Sequence, residues 1–419
     1  MTCRPILASS VRLGCVLAVL GMGAVGSPSA TLAAGGLPPA CAVKSLSPIV
    51  PATAGFSVSP IDENVIVFSK PVGKTMQVFR FDRRTKRETC ITCTEVSGGP
   101  RVDRQKGAPS FLPDGKRLVL QVEMAQHPHE GQIGGPGAGW FNDVWMTTLD
   151  GDRWWNLTRY PSGANDRFGV LVPEPSPDGR HLAWAELYAD DGARARAAMQ
   201  RSGQIPPGSA PWGRWRIKVA DLVAGPEGGV TLGNARTITL PNATWYETQG
   251  WSRDGAYLIF ATDAGLSTPQ AMDLWVHNFK TGRNANLTRT PDAWEEFGDI
   301  SPSGKLVAFM SSTCCAFKPT DDKKALRTEL YLTTPDRAFT ERLTFFNDPG
   351  HKDGKDGPGG SVVTKLRWSR DGTKVYFERP FYGPNGAARG SYLMELTFAG
   401  ACGAIDPGTG SANPPRPAR

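Results

Sequence analysis

The sequence predicts an all-β fold, a six-bladed β-propeller built from four-stranded antiparallel blades. The first indication is composition: the 419 residues include 48 Gly, 35 Pro and 12 Trp, and only 21% of them are charged. Turn-forming and aromatic residues at these levels are typical of all-β domains and not of disordered chains. The second indication is a phrase resembling Ser-Pro-Asp-Gly, which occurs six times, each time before an apolar run. The third is a further pair of strand signals after each copy.

Each copy of the phrase has the chemistry of a tight turn that leads into a buried strand. Proline presets φ at the first turn position, aspartate can bond its own backbone, and glycine accepts a positive φ. The runs that follow, such as residues 257–261, are rich in β-branched and aromatic residues. The first residues of the six copies, called turn-start residues below, are Ser59, Leu112, Ser176, Ser252, Ser301 and Ser369.

Two more strands follow each turn, which completes a four-stranded unit. Four-stranded units repeated around an axis are propeller blades. Successive turn-start residues are 49–76 residues apart, more than the roughly 40–45 residues of a minimal blade, so insertions are expected between strands. Third-strand signals occur at 143–146, 216–219, 273–276 and 329–332, and the blade ends at 90–92, 156–158, 286–288 and 342–344 resemble one another.

The N-terminus predicts export. Residues 1–12 carry two arginines and no acid, and the apolar run 13–26 has the length of a signal peptide and is too short to span a bilayer. Cleavage after Ala33 is expected. Cys15 lies at the beginning of the apolar run and not after it, so a lipoprotein signal is rejected. The predicted organisation is a signal peptide at 1–33, an N-terminal segment at 34–53, the propeller at 54–398 and a tail at 399–419. The mature protein is expected to be periplasmic or secreted, without a transmembrane segment, and monomeric.

Charge and cysteine content narrow the class of partner and the compartment. Cleavage would lower the formal charge from +7 to +5, a mild surplus with no basic cluster, so a nucleic-acid partner is excluded. The six remaining cysteines predict disulfides in an oxidising compartment. Cys41 and Cys402 lie at the two ends of the mature domain, where a bridge would clamp a ring closed. The other two expected disulfides are a local Cys90–Cys93 bridge and a vicinal Cys314–Cys315 bridge. A zinc site is the weaker alternative because no second C-x-x-C occurs.

The turn phrase, the D-x-W/Y-V third strands and the N-L-T blade ends resemble the repeats of the TolB-type propeller family. The resemblance covers residues 54–398. It implies the propeller fold and, by analogy with TolB, a binding hub of the cell envelope that engages a peptidoglycan-associated lipoprotein. The same repeat type also occurs in prolyl oligopeptidase-type enzymes and in some polysaccharide lyases. Unlike TolB, this sequence has no α/β domain before the first blade, and no G-x-S-x-G motif indicates a serine hydrolase.

The main candidate functional residues are predicted to face the central channel. Glu247 and Glu296 both lie five residues before a turn-start residue, on adjacent blades, and Gln249 lies three residues before one. Two carboxylates in one ring could hold a divalent cation, bind a basic side chain, or act as an acid/base pair. The alternative is that both are solvated, or paired with Lys106 or Arg104, and these two cations are included among the candidate ligand-binding residues.

Two further sets of residues are weaker candidates. His127, His129 and Asp143 offer imidazole and carboxylate ligands for a transition metal, although a short H-x-H in a glycine-rich loop is more often only polar. No cofactor is predicted. Trp245 and Trp294 each precede a channel glutamate by two residues, and as exposed rings they could stack on a sugar or anchor a protein.

Three functions follow from these observations. The leading hypothesis is a non-enzymatic binding protein of the cell envelope that recognises a protein or a glycan at the channel mouth. The alternative is a carbohydrate-active enzyme, a lyase or hydrolase, that uses Glu247 and Glu296. A purely structural scaffold is the third hypothesis, and it predicts no concave polar site.

Overall fold

The structure is a computed structural model of the 419-residue chain. It describes residues 37–404 apart from 52–53, 132, 134–137, 164–167, 191, 193–196, 199–200, 203–208, 226–227, 267–270, 316–325 and 355–358. The predicted signal peptide and its cleavage site lie outside the described residues. No helix in the described ranges is long and apolar enough to cross a membrane.

Six four-stranded antiparallel sheets account for all of the described strands, which confirms the predicted six-bladed β-propeller. The first strand along the chain, β1 (Val43–Pro51), belongs to the last blade. Blade 1 contains β2 (Phe56–Val58), β3 (Val65–Val72), β4 (Thr75–Asp82) and β5 (Arg87–Cys90), and blade 2 contains β6 (Lys106–Phe111), β7 (Arg117–Glu123), β8 (Asn142–Thr148) and β9 (Trp154–Asn156). Blade 3 contains β10 (Gly169–Pro175), β11 (His181–Ala189), β12 (Arg214–Ala224) and β13 (Val230–Ile238), and blade 4 contains β14 (Tyr246–Trp251), β15 (Tyr257–Thr262), β16 (Asp273–Asn278) and β17 (Arg283–Asn286). Blade 5 contains β18 (Glu295–Ile300), β19 (Val307–Ser311), β20 (Glu329–Thr333) and β21 (Thr340–Arg342), and blade 6 contains β22 (Thr364–Trp368), β23 (Lys374–Tyr382), β24 (Ala388–Phe398) and β1.

The repeated turn phrase joins the innermost strand of each blade to the second strand, and its serine and aspartate hold the turn. In blade 3 the Ser176 hydroxyl donates to Asp178 at 2.6 Å and accepts the backbone N–H of His181 at 2.9 Å. The same two bonds are made by Ser252 in blade 4 and by Ser369 in blade 6. Gly179 closes the turn at φ +71°, a conformation that favours glycine.

The similar blade ends form a second repeated device, called the threonine clasp below. In blade 4 the Thr288 hydroxyl accepts the N–H of Leu274 at 3.0 Å and donates to Asp273 at 3.2 Å. Equivalent threonines in blades 1, 2 and 5 are Thr92, Thr158 and Thr344, and their hydroxyls bond Gln77, Asp143 and Glu329. The clasp ties the fourth strand of a blade to the beginning of its third strand.

The ring closes through the N-terminal strand. β1 pairs antiparallel with β24 as the outer strand of blade 6, so the segment 34–53 contributes a strand to the propeller. A disulfide between Cys41 and Cys402 lies beside this pairing, and the other two predicted bridges, Cys90–Cys93 and Cys314–Cys315, are also present. The cysteines of the last pair, together with Glu329, are the one group of three potential metal ligands found among the described residues. Both thiols are consumed by the bridge, so this group is not a zinc site in the present structure.

Candidate functional site

The central channel opens into a cavity of about 480 Å³ at the end where the repeated turns lie. All six blades contribute to its wall through their turns and the ends of their innermost strands. We call this cavity the mouth. The side chains in its lining that carry charge are Glu63, Glu174, Arg253, Asp299, Arg367 and Arg370.

A bulge interrupts the innermost strand of five of the six blades just before the residues that reach the mouth. In blades 2 to 6 the pairing of the first and second strands shifts register three to five residues before the turn-start residue. Ala108, Val172, Phe297 and Lys365 occupy the same position in these bulges and all have a positive φ. A bulge of this kind bends the strand and redirects the side chains that follow it. In the bulged blades 2, 3, 5 and 6 the residues two positions before the turn-start residue line the mouth; they are Ser110, Glu174, Asp299 and Arg367. Ser57 lines it from the same position in blade 1, where the strands pair without a register shift.

Blade 4 has glycine at this same position. A Cβ atom added to Gly250 would lie 3.2 Å from Asp299 Oδ1 and 3.6 Å from Arg367 Nη1. The glycine therefore leaves space for charged side chains from the two blades that follow it.

The floor of the mouth is an ion cluster that spans the channel. Lys365 Nζ lies 2.8 Å from Glu174 Oε1, and the Arg367 guanidinium donates to the same carboxylate oxygen. Glu174 belongs to blade 3 and both cations belong to blade 6, which are opposite blades in a ring of six. Asp299 joins the cluster from blade 5, where its Oδ2 accepts the Trp368 N–H at 2.8 Å. Glu174, Asp299 and Lys365 are buried, whereas the Arg367 side chain is 18% exposed.

Burial and proximity act in opposite directions on these carboxyl groups. Burial alone would raise the pKa of Glu174, but Arg367 and Lys365 hold that pKa below its ordinary value. Burial raises the pKa of Asp299 to about 6 despite the nearby Arg367. Burial also raises the pKa of Glu378 to about 7, although the carboxylate accepts the Gly55 N–H at 3.1 Å and Lys365 lies nearby. Lys365 therefore acts as the shared counter-charge of several carboxyl groups.

Glu247 and Glu296 lie close enough to interact, as their equivalent positions on adjacent blades suggested. Glu247 is fully buried, and neither of its carboxylate oxygens has a hydrogen-bond partner among the described residues. Burial raises the pKa of Glu247 well above its usual range, and the charge of Glu296 raises it further, while Lys365 opposes both. Neither glutamate lines the mouth.

The other predicted ligand-binding residues lie elsewhere. Gln249 is 1% exposed, and so are Trp245 and Trp294. Trp245 packs edge-on against Trp215 at 5.3 Å between ring centroids. The expectation of exposed tryptophans is therefore corrected: both rings belong to the largest apolar core cluster and offer no face to a ligand. Their apolar bulk is used for packing between blades.

The two cations proposed as counter-ions of the glutamates are also used differently. Lys106 Nζ donates to the carbonyl oxygens of Arg101 at 2.6 Å and of Val102 and Arg104 at 3.3 Å. Burial lowers the pKa of Lys106 to about 8. Arg104 lines a separate cavity of about 320 Å³ together with Glu123 and Asp143. The cation near Glu247 is instead Lys365.

The predicted metal ligands are not assembled into one cluster. His127 is buried, stacks on Phe141 at 4.0 Å, and lies 3.6 Å from Glu130, whereas His129 is exposed. Asp143 belongs to the threonine clasp of blade 2, where it accepts the Thr158 hydroxyl at 2.6 Å. The carboxylate of Asp143 therefore has a structural role that Asp273 repeats in blade 4.

The cluster at the floor cannot be predicted from strict alternation along the innermost strands. Under that assumption the residues five and three positions before the turn-start residue share a face, and the residue two positions before it does not. The ring two positions before the turn-start residue reads Ser, Ser, Glu, Gly, Asp and Arg. That concentration of polar and charged residues in a buried strand was the available signal.

The sequence matches no known family model and no curated protein. Among solved structures, it is similar to TolB from Acinetobacter baumannii, with 14% identity, a TM-score of 0.46, and coverage of 81% of this chain and 64% of that one. It is also similar to a putative TolB from Agrobacterium tumefaciens, with 17% identity, a TM-score of 0.40, and coverage of 76% and 96%. An oligogalacturonate lyase from Vibrio parahaemolyticus matches with 10% identity, a TM-score of 0.46, and coverage of 85% and 95%. TolB structures are thus among those that this chain resembles, as its turn and blade-end motifs predicted.

Proposed function

We propose that this protein is an exported binding propeller of the cell envelope, and that it recognises a segment of a partner protein at the mouth of its central channel. The observation that carries the proposal is the mouth itself. It is a concave cavity formed by all six blades, and its volume of about 480 Å³ lies in the range of ordinary ligand sites.

The floor of the mouth supports a binding role because it is held rigidly before any partner arrives. The Glu174 carboxylate is bonded by Lys365 and Arg367, and the Asp299 carboxylate by the backbone of Trp368. Side chains that are already fixed lose little conformational entropy on binding. The balance of two acids and two cations favours a partner of mixed polarity over a strongly charged one.

The rim supplies the accessible groups. Ile61 is 59% exposed at its edge, where it could meet an apolar side chain of the partner. The Arg253 guanidinium donates to the Arg370 carbonyl at 3.1 Å, and the Arg370 guanidinium donates to the Pro60 carbonyl at 3.2 Å. These bonds link the turns of blades 4, 6 and 1 around the opening. An exposed apolar residue beside arginines is a common composition of protein interfaces.

The envelope compartment is part of the proposal. It is supported by the signal-peptide pattern of residues 1–33 and by the three disulfides, which persist in oxidising compartments. Cleavage of a glycan by Glu247 and Glu296 is the less favoured alternative, because both carboxyl groups are buried and neither lines the mouth.

Site-specific photocrosslinking tests the proposal. A photoreactive amino acid at position 61 should crosslink one partner in the native cell, and the same amino acid at Val223, exposed on the outer part of blade 3, should not. Arg253→Glu should abolish the crosslink and weaken binding of the purified partner by about tenfold or more, since a reversed rim charge opposes the same complex. A crosslink that forms equally well from position 223, or that survives Arg253→Glu with unchanged affinity, would refute recognition at the mouth.

A further inference from the structure

A second cavity, separate from the mouth, lies between blades 4 and 5 near the periphery of the ring. Its volume is about 530 Å³, and we call it the outer groove. Tyr257, Val276, Ala285 and Leu287 line it on the side of blade 4, and Pro335 lines it on the side of blade 5. These residues give the groove an apolar lining.

Strand register explains how this lining arises. Val276 pairs with Ala285, and Asn278 pairs with Arg283, across β16 and β17. Directly paired residues share a face of the sheet, and so do residues two positions apart in a strand. Arg283 is therefore on the same face as Ala285 and Val276, so its guanidinium stands beside apolar surface.

The charges around the outer groove are unbalanced. Arg283, Arg289 and Arg337 line it with a single acid, Asp336. The Asp336 carboxylate accepts the Ala338 N–H at 3.2 Å, and hydrogen bonds from Thr334 and Ala338 lower its pKa. This acid is therefore engaged within its own turn and is not paired with the arginines.

The guanidinium groups of two of the three arginines have no partner among the described residues. Arg337 donates to the Thr288 carbonyl oxygen, whereas the guanidinium groups of Arg283 and Arg289 form no hydrogen bond or ion pair with any described residue. The half-buried Arg80 pairs with Asp150 and the exposed Arg84 pairs with Asp62, so the groove arginines differ from these two in having their donors available. Planar guanidinium groups bind carboxylates well, and their attraction is stronger beside a surface that excludes water.

From this geometry we propose that the outer groove binds a small organic anion, a carboxylate attached to an aliphatic or aromatic body. The apolar body would lie on Val276, Ala285 and Leu287, and Arg283 and Arg289 would bind the carboxylate. The site is independent of the mouth, because the two cavities have no lining residue in common.

Calorimetric titration of the intact mature protein with octanoate at low salt tests this assignment. Octanoate should bind at a single site, whereas acetate lacks the apolar body and octanol lacks the charge, so neither should give measurable binding. The double variant Arg283→Gln/Arg289→Gln should weaken octanoate binding by about tenfold or more, since it removes two charge-assisted hydrogen-bond donors.

The repeat provides a matched control. Arg87 in blade 1 and Arg159 in blade 2 stand at positions equivalent to those of Arg283 and Arg289, and both are exposed. Arg87→Gln/Arg159→Gln lowers the net charge equally and should change octanoate affinity by less than about twofold. The proposal is overturned if the wild-type protein does not bind octanoate, if octanol binds as well as octanoate, or if the control variant loses as much affinity as the groove variant.

Discussion

At the scale of single residues, the channel buries more carboxyl groups than cations. Glu174, Glu247 and Glu378 all interact with Lys365, but one ammonium cannot neutralise three carboxylates. Glu174 has the direct ion pair, so it retains its charge most easily, and the other two have raised pKa values. Protonation of Glu247 and Glu378 thus removes negative charge that the buried cations do not neutralise.

Glu247→Gln should remove a pH-dependent part of the stability. The pKa of Glu247 is raised in the folded state. The folded protein therefore keeps the proton of the Glu247 carboxyl group at pH values where the unfolded chain has already lost it. The stability associated with this proton is fully present below the unfolded pKa and is lost as pH rises toward the folded pKa. Between pH 5 and pH 8, the wild type should lose up to about 1.4 kcal/mol per pH unit relative to Glu247→Gln, as measured by urea unfolding.

Asp178→Asn is a control, because the pKa of Asp178 is shifted in the opposite direction to that of Glu247. Hydrogen bonds from Ser176 and Arg180 outweigh burial and lower the pKa of Asp178 to about 2, so its contribution is lost only as pH falls below about 4. Its unfolding free energy should follow that of the wild type in parallel between pH 5 and pH 8. A Glu247→Gln curve that is also parallel to the wild type would show that Glu247 is not protonated in the folded protein.

At the scale of strands and turns, sequence patterns predict the features that have the same residues in several blades, and they do not predict a feature such as the bulge, whose residues differ from blade to blade. The turn phrase and the blade ends were recognisable because each has the same bonds in several blades, as Ser176 and Ser252 illustrate. The bulge is harder to detect because no common residue type marks it: Val172, Phe297 and Lys365 occupy the same bulge position. Backbone register there is decided by pairing with the second strand, and this changes which later side chains reach the mouth.

The contribution of the threonine clasp to stability can be tested by removing its hydroxyl groups. Thr288→Val preserves the shape of the side chain but removes the acceptor of the Leu274 N–H and the donor to Asp273. The loss should be about 1–3 kcal/mol of unfolding free energy, because buried polar groups are left without a partner. Thr158→Val and Thr344→Val should cost similar amounts in urea unfolding, since both hydroxyls make the same pair of bonds.

Thr94→Val provides the reference for these variants. Thr94 is exposed and lies just beyond the clasp of blade 1, so its replacement should change stability by less than about 0.5 kcal/mol. Equal effects of Thr288→Val and Thr94→Val would mean that the clasp contributes no stability beyond that of an ordinary surface threonine.

At the scale of the whole molecule, the propeller depends on joining its two ends. Each blade packs on its neighbours, so an open row of blades would leave the faces of blades 1 and 6 exposed to water. The pairing of β1 with β24 completes blade 6, and the Cys41–Cys402 bridge fixes both ends beside it. The positions of the two cysteines predicted the bridge. The role of β1 as a blade strand was not predictable in the same way, because residues 43–51 contain no copy of the turn phrase.

The three disulfides should therefore contribute very different amounts to stability. Cys41 and Cys402 are 361 residues apart in sequence, whereas Cys90 and Cys93 are 3 apart. Because a bridge restricts the unfolded chain more when it closes a longer loop, the chain-entropy model assigns roughly 5–6 kcal/mol to the first bridge and about 1–2 kcal/mol to the second. Urea unfolding without reductant should thus show a much larger loss for Cys41→Ala/Cys402→Ala than for Cys90→Ala/Cys93→Ala. Comparable losses would place the stabilising effect in local contacts around each bridge and not in the closure of the ring.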